Sequence, residues 1–179
     1  MPYLKKAVIV GAVKPMKTTS RLKTKTKLKA RPPKLRKKQP KPTITKLKKE
    51  ADRWFSLATR YRLSEQIAGL WVCECVTCGV KKAVKDMQCG HFMSRRFTAT
   101  RYSEENTAAQ CYRCNVAFNG EQFKFGQAVD SLYGDGAARR LMDEASQPHR
   151  FTTEELLAII EDSKKQVAWY EKETASTSQ

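Results

Sequence analysis

Apolar residues recur mostly at three- and four-residue steps through Leu47, Ala51, Trp54, Phe55, Ala58, Ile67 and Leu70, with charged residues between them. This is the period of an amphipathic helix, and it predicts one from about Thr43 to near Leu70, its apolar stripe facing a core. A second helix is predicted from Thr153 to Glu173, because Leu156, Ile160, Val167 and Tyr170 fall on one side and Thr152 with Glu155 forms a capping box. From Phe123 to Ala145 the pattern is helical but broken at Gly134, Asp135 and Gly136, which mark a turn. A strand is predicted over Ala83 to Gln88, and the chain after Thr174 should fray. No internal repeat is visible. The expected fold class is α+β, a small central region flanked by helices.

Charge changes this picture at one end only. The 179 residues carry 35 Lys and Arg against 18 Asp and Glu, a formal net charge of +17. Residues 1–49 hold 18 of those basic residues and no acid, so the rest of the chain is close to neutral. The arm also holds six prolines, no aromatic after Tyr3, and a Lys-x-Lys run through Lys23, Lys25, Lys27 and Lys29. Such a segment has too little apolar surface to fold alone and repels itself unless a polyanion neutralises it. It is expected to be disordered in isolation and to bind DNA phosphates without regard to sequence. The longest apolar run, Ala7 to Val13, is far shorter than the ~18 to 20 residues of a membrane span. It follows a basic start but leads to no small-residue cleavage site, so neither a membrane protein nor an exported one is expected. A Lys-rich, proline-interrupted arm also differs from an Arg-rich amphipathic transit peptide.

The six cysteines all lie between the first and last helices. Cys75-Val-Thr-Cys78 and Cys111-Tyr-Arg-Cys114 are two CxxC pairs, each able to turn two thiolates toward one corner-sharing site. Together they supply the four ligands of a tetrahedral structural zinc (Zn2+). Disulfides are disfavoured in a cytosolic chain, and a redox CxxC needs no matched second pair. Gly79 suits the tight turn after Cys78. Cys73 and Cys89 are read as bystanders, although Cys73 stands close enough in sequence to exchange with Cys75.

Between the pairs, His91 follows the expected strand in Cys89-Gly90-His91-Phe92, and an Arg-rich loop follows with Arg95, Arg96 and Arg101. Asn106 then precedes the second CxxC, and Asn115 comes directly after Cys114. His, Asn and a second Asn in this order match the HNH, or ββα-metal, nuclease motif. Each alone is a weak sign, since Asn115 could simply cap a helix. The ordered set within a double CxxC frame is more specific.

Cys75-x2-Cys78, Gly90-His91-Phe92, Arg101-Tyr102 to Asn106, Gln110-Cys111-x2-Cys114-Asn115 and Asn119-Gly120 resemble the NinG/Rap recombination proteins of lambdoid phages, over roughly Leu47 to Glu173. The Cys114-Asn115 junction also resembles phage endonuclease VII. The resemblance implies a phage-encoded, structure-specific endonuclease of the bacterial host cytoplasm, acting on branched DNA such as Holliday junctions and D-loops. It leaves room for a homodimer and for other phage recombination proteins as partners. The implied organisation is a basic arm over residues 1–42, a helix over 43–70, a zinc-bound HNH-like core over 71–128 and a helical region over 129–179.

In this reading His91 is the general base, Asn106 orients it, and Asn115 holds a catalytic magnesium (Mg2+) or manganese (Mn2+) ion. Arg95, Arg96, Arg101 and Arg113, with Lys23, Lys25 and Lys27 of the arm, would grip phosphates. His149 has no assigned role. Many HNH nucleases carry an Asp or His just before the base as a metal ligand, whereas this chain has Gly90, so the resemblance leaves Gln88, Asp86 or Asn119 as helpers of Asn115. The competing function is a zinc-stabilised DNA-binding recombination mediator that does not cleave.

Overall fold

A computed structural model describes residues 42–176, which fall within one unit, Pro40–Gln179. The arm with Lys23, Lys25 and Lys27 lies outside the described residues. Helix α1 (Ile44–Arg62) begins at Thr43, whose hydroxyl accepts the Lys46 N–H at 3.4 Å. It stops eight residues before the expected end. Ala68 and Gly69 both take positive φ, the geometry of a two-residue hairpin turn, so β1 (Ser64–Ile67) pairs antiparallel with β2 (Leu70–Glu74). Ile67 and Leu70 continue the helical spacing but are exposed, and so do not belong to the apolar stripe. The short β3 (Lys81–Ala83) completes this sheet in the order β1-β2-β3.

The strand expected over 83–88 begins later. Val84–Asp86 forms a single 3-10 turn, and the strand itself, β4, is Met87–His91. It pairs antiparallel with β5 (Thr107–Cys111), with His91 opposite Thr107 and Gln88 opposite Gln110. A π-helical turn, Arg113–Ala117, follows, and then α2 (Gln122–Tyr133) and α3 (Ala137–Ala145), broken at Gly134–Gly136 as their glycines suggest. The last helix is α4 (Thr153–Ser176). Its capping box is reciprocal: the Thr152 N–H donates to Glu155 at 2.7 Å and the Glu155 N–H to the Thr152 hydroxyl at 3.1 Å. The expected α+β class is therefore what is observed.

Three buried clusters hold the parts together. Leu47 and Ala51 of α1 pack on Leu156 and Ile160 of α4. Phe92, Ala108, Phe125, Val129 and Leu141 join the β4–β5 hairpin to α2 and α3. The third cluster contains Cys73, Cys75, Cys111 and Cys114 with Val84, Met87 and Ala109. Two arginines on the last turn of α1 fix the hairpin to the helix. Arg60 donates to the carbonyls of Val84 (3.0 Å) and Met87 (3.2 Å), and Arg62 donates to those of Glu104 (2.9 Å) and Thr107. Both strand beginnings are thus tied to one helix end, and neither arginine stood out in the sequence. No helix among the described residues is long and apolar enough to cross a membrane.

Candidate metal centre and active-site cleft

The two CxxC turns converge. The sulfurs of Cys75, Cys78, Cys111 and Cys114 all lie within 4.8 Å of one another, and those of Cys78 and Cys111 are 3.8 Å apart. A tetrahedron with Zn–S bonds of ~2.3 Å has edges of about 3.8 Å, so the arrangement suits zinc. The first knuckle closes through Gly79, whose φ of +72° lets its N–H reach the Cys75 carbonyl at 2.9 Å. The Val76 N–H donates to the Ala109 carbonyl at 3.0 Å and fastens the knuckle to β5. Burial opposes ionisation of Cys75, but the Thr77 hydroxyl and the backbone N–H groups of Cys111, Thr77 and Cys78 outweigh it and lower its pKa to about 6. A metal ligand needs that thiolate state, but Cys78 is shifted the other way and burial raises Cys114 to about 12, so Cys75 alone of these three is biased toward it. Cys73 is buried in the surrounding core and Cys89 lies on β4, both outside the four-sulfur group.

Beside this centre is a cleft of about 200 Å³ lined by Cys89, His91, Ser94, Arg95, Asn115, Asn119, Gly120 and Gln122. The structure therefore brings His91 and Asn115 to one site, with Arg95 at its edge. Asn115 stands in the π-helical turn, whereas α2 starts only at Gln122. Its Nδ2 donates to Gln88 Oε1 at 2.6 Å, which orients the amide and engages the Gln88 oxygen. Asn119, Gly120 and Glu121 all have positive φ, a left-handed run that returns the chain to the cleft before α2 begins. Asp86 sits in the 3-10 turn and does not line the cleft.

Asn106 does something other than orient the His91 ring directly. It is fully buried, and its side chain accepts the Met93 N–H at 2.6 Å and donates to the carbonyls of Met93 (3.0 Å) and Thr100 (2.9 Å). With both sides of its amide used in this way, it staples the 92–106 loop. The carbonyl that meets His91 belongs to Arg101, 3.2 Å from Nε2. Asn106 thus acts one residue away, through Thr100. Because a carbonyl only accepts, the neutral ring must donate from Nε2, which leaves Nδ1 unprotonated. Burial first, with the charges of Arg95 and Arg101, outweighs the carbonyls of Arg101 and Cys89 and lowers the His91 pKa to about 4.

Arg101 is also placed differently from the sequence reading. Its guanidinium makes a two-pronged pair with Asp52 of α1, Nε to Oδ1 at 3.0 Å and Nη2 to Oδ2 at 2.7 Å, and its Nη1 donates to the Arg95 carbonyl at 2.7 Å. Tyr102 adds a hydroxyl to the same carboxylate at 2.9 Å. These contacts leave Arg101 a structural clamp on the loop instead of a phosphate grip. Arg95, Arg96 and Arg113 are exposed; Arg96 lies over Phe97 and Arg113 over Phe118. His149 donates no side-chain bond to the cleft and pairs with Glu155 at 4.0 Å.

Gly90 has a steric explanation. A Cβ there would lie 2.3 Å from Gln110 Oε1 and 2.9 Å from its carboxamide carbon. Gln110 is fully buried and its Nε2 donates to the Gly120 carbonyl at 2.8 Å and to the Thr77 hydroxyl at 3.3 Å. Thr77 in turn contacts Cys75 Sγ at 3.3 Å. Gln110 therefore connects the cysteine centre to the left-handed segment of the cleft, and it occupies the space that a side chain at position 90 would need. Its approach could not be read from the motif, because it comes from the facing strand.

These features define a small α+β protein with four cysteines placed to hold a metal ion and an adjoining cleft of imidazole, amide and guanidinium groups. The chain belongs to the Bacteriophage Lambda NinG protein family, whose model matches residues 4–173. Membership suggests a role in phage recombination. No curated protein and no solved structure matches the chain.

Proposed function

We propose that the protein is a metal-dependent endonuclease of the HNH type that cuts branched DNA recombination intermediates, with zinc as scaffold. The observation that carries this reading is the convergence of His91 and Asn115, with Arg95, on one cleft beside the cysteine centre. The succession of β4, β5, π-turn and α2 is consistent with a ββα-metal arrangement. A neutral His91, held through Nε2, has an unprotonated Nδ1 to accept a proton from water. Arg95, exposed at the cleft, would hold the phosphate through charge-assisted hydrogen bonds.

The donor set fits a hard cation in a particular way. Asn115 and Asn119 offer amide oxygens, but none of the eight lining residues is a carboxylate. Magnesium is usually held by one or two carboxylates together with waters and substrate phosphate, so with only neutral amide oxygens here most of its shell would have to come from water and DNA. The ion's contribution would be to polarise the phosphate and stabilise the leaving oxygen. In-line attack would leave a 5′ phosphate.

Single-turnover cleavage of a labelled four-way junction, with magnesium or manganese and beside gel-shift binding, tests the reading. His91→Ala should bind zinc and junction normally but cut about 10²- to 10⁴-fold more slowly, the scale of a lost acid-base group. Asn115→Ala should lose cleavage and regain part of it in excess metal ion. Unimpaired cutting by His91→Ala would instead favour a DNA-binding mediator whose apparent cleavage comes from a contaminant.

A further inference from the structure

Among the described residues, four aromatic side chains are exposed: Tyr112, Phe118, Phe123 and Trp169. Three of them fall within the twelve residues from 112 to 123, the same segment that supplies Asn115, Asn119, Gly120 and Gln122 to the cleft. Phe118 (46% exposed) is next in sequence to Asn119, and Phe123 (78% exposed) is next to Gln122. Consecutive Cα atoms are ~3.8 Å apart, so both rings start within one residue of the cleft wall. Large apolar side chains exposed singly are ordinary, but three aromatic ones within a twelve-residue segment that also supplies the wall of a polar cleft point to a contact surface.

The chemistry of the segment identifies the occupant. The Arg113 guanidinium lies 4.9 Å from the centre of the Phe118 ring, a cation and a flat face presented together. Glu121, the only acid within residues 112–123, is paired with Lys124 at 3.3 Å, which offsets its charge toward an incoming phosphate backbone. Exposed aromatic rings interleaved with arginine and amides match what unpaired nucleic-acid bases require: a π surface for the base, and cations and N–H donors for the phosphates. Bases within an intact duplex are already stacked and offer no such face.

We propose that Phe118 and Phe123, with Arg113 beside them, form a stacking surface for unpaired bases of DNA immediately next to the phosphate held in the cleft. The proposal rests on the nuclease reading for the identity of that phosphate. It makes the aromatic segment the part of the molecule that distinguishes a strand interruption or branch point from continuous duplex.

The test is binding of the full-length, zinc-loaded protein, without magnesium or manganese, to two DNAs. One is an intact duplex; the other has the same sequence with a short thymidine gap and 2-aminopurine at the gap edge. The wild-type protein should prefer the gapped DNA and change the 2-aminopurine fluorescence. Replacing both Phe118 and Phe123 with Ala should weaken gapped-DNA binding by about 5- to 150-fold per lost stack and leave duplex binding unchanged. The Phe118→Leu, Phe123→Leu double variant keeps apolar area without π faces, and should lose most of the same preference.

Gapped-DNA binding that survives the Ala changes, or Leu variants equal to wild type, overturns the proposal. So does a wild-type dimer in analytical ultracentrifugation that the Ala variant converts to monomer, since the surface would then serve self-association. Cleavage is assayed separately on the same DNAs. A protein that shows the aromatic effects but cuts no DNA refutes the nuclease reading alone, whereas one that cuts normally with Phe118 and Phe123 replaced refutes this proposal alone.

Discussion

The cysteine centre and the cleft lie side by side but are built on opposite principles. The centre takes four identical donors from two turns of fixed spacing, with all four sulfurs within 4.8 Å of one another. The cleft gathers unlike groups from β4, the 92–106 loop, the π-turn and the left-handed run before α2. One site is specified almost entirely by local sequence, while the other depends on how distant segments are held. Arg60, Arg62, Arg101, Asn106 and Gln110 do that holding, each through buried or half-buried bonds to backbone or carboxylate. The comparison implies that damage to the centre should undo the cleft, and that damage to the cleft should largely spare the centre.

The strongest way to break that asymmetry is to remove one thiolate. Cys78→Ser or Cys111→Ser should release zinc and abolish the cooperative melt of the central region, because metal binding in small sites is itself folding free energy, on the order of 10 kcal/mol. Metal analysis and circular dichroism of the purified variants check this. A variant that keeps one zinc per chain and an unchanged melt would show that the four sulfurs are not the ligand set.

A smaller effect is expected at the link between the two regions. Gly90→Ala places a methyl group on the Gln110 carboxamide, and with backbone on one side and buried side chain on the other it should cost about 3 kcal/mol, the upper range for overpacking. Gln110→Ala should be destabilising too, since it removes the donor to Gly120 and Thr77. The double variant should recover part of the loss, because the clash needs both residues. Urea denaturation of the two single variants and the double variant measures this coupling. Strict additivity would mean that Gly90 is not there to accommodate Gln110.

How much could be read beforehand follows from the same contrast. The two CxxC turns, the capping box of Thr152 and Glu155 and the glycine break before α3 are local patterns, and each stands where its residues indicate. The end of α1 is not legible in the sequence because Ile67 and Leu70 keep a helical step while Ala68 and Gly69 form a hairpin turn, and a turn with Ala at its first position is a weak signal. His91 and Asn115 were legible as a pair because their order within the CxxC frame is local. The role of Asn106 was not, since a side chain with three buried partners is distinguished from one facing a catalytic ring only by tertiary structure. Arg101 looked like a free cation for the same reason: its carboxylate, Asp52, lies 49 residues away on α1.

The smallest effect concerns protons at the cleft and can be separated from the cysteine centre by difference. Burial keeps the folded-state pKa of His91 near 4, below the ordinary histidine value of 6.5. Between these values the unfolded chain binds a proton that the folded chain does not, so stability must fall as pH drops from 6.5 toward 4 and be fully regained above 6.5. At pH 5 the loss attributable to His91 should be about 2 kcal/mol relative to pH 7.5. His91→Gln removes this titration and leaves the thiolates in place. Zinc release in acid affects both proteins alike, so the difference between their urea-unfolding free energies at pH 7.5 and pH 5 isolates the imidazole. The variant should be the less pH-sensitive of the two by that amount. Equal pH sensitivity would mean that His91 titrates normally in the folded protein and that its ring is far more open to water than its place between the loop and β4 implies.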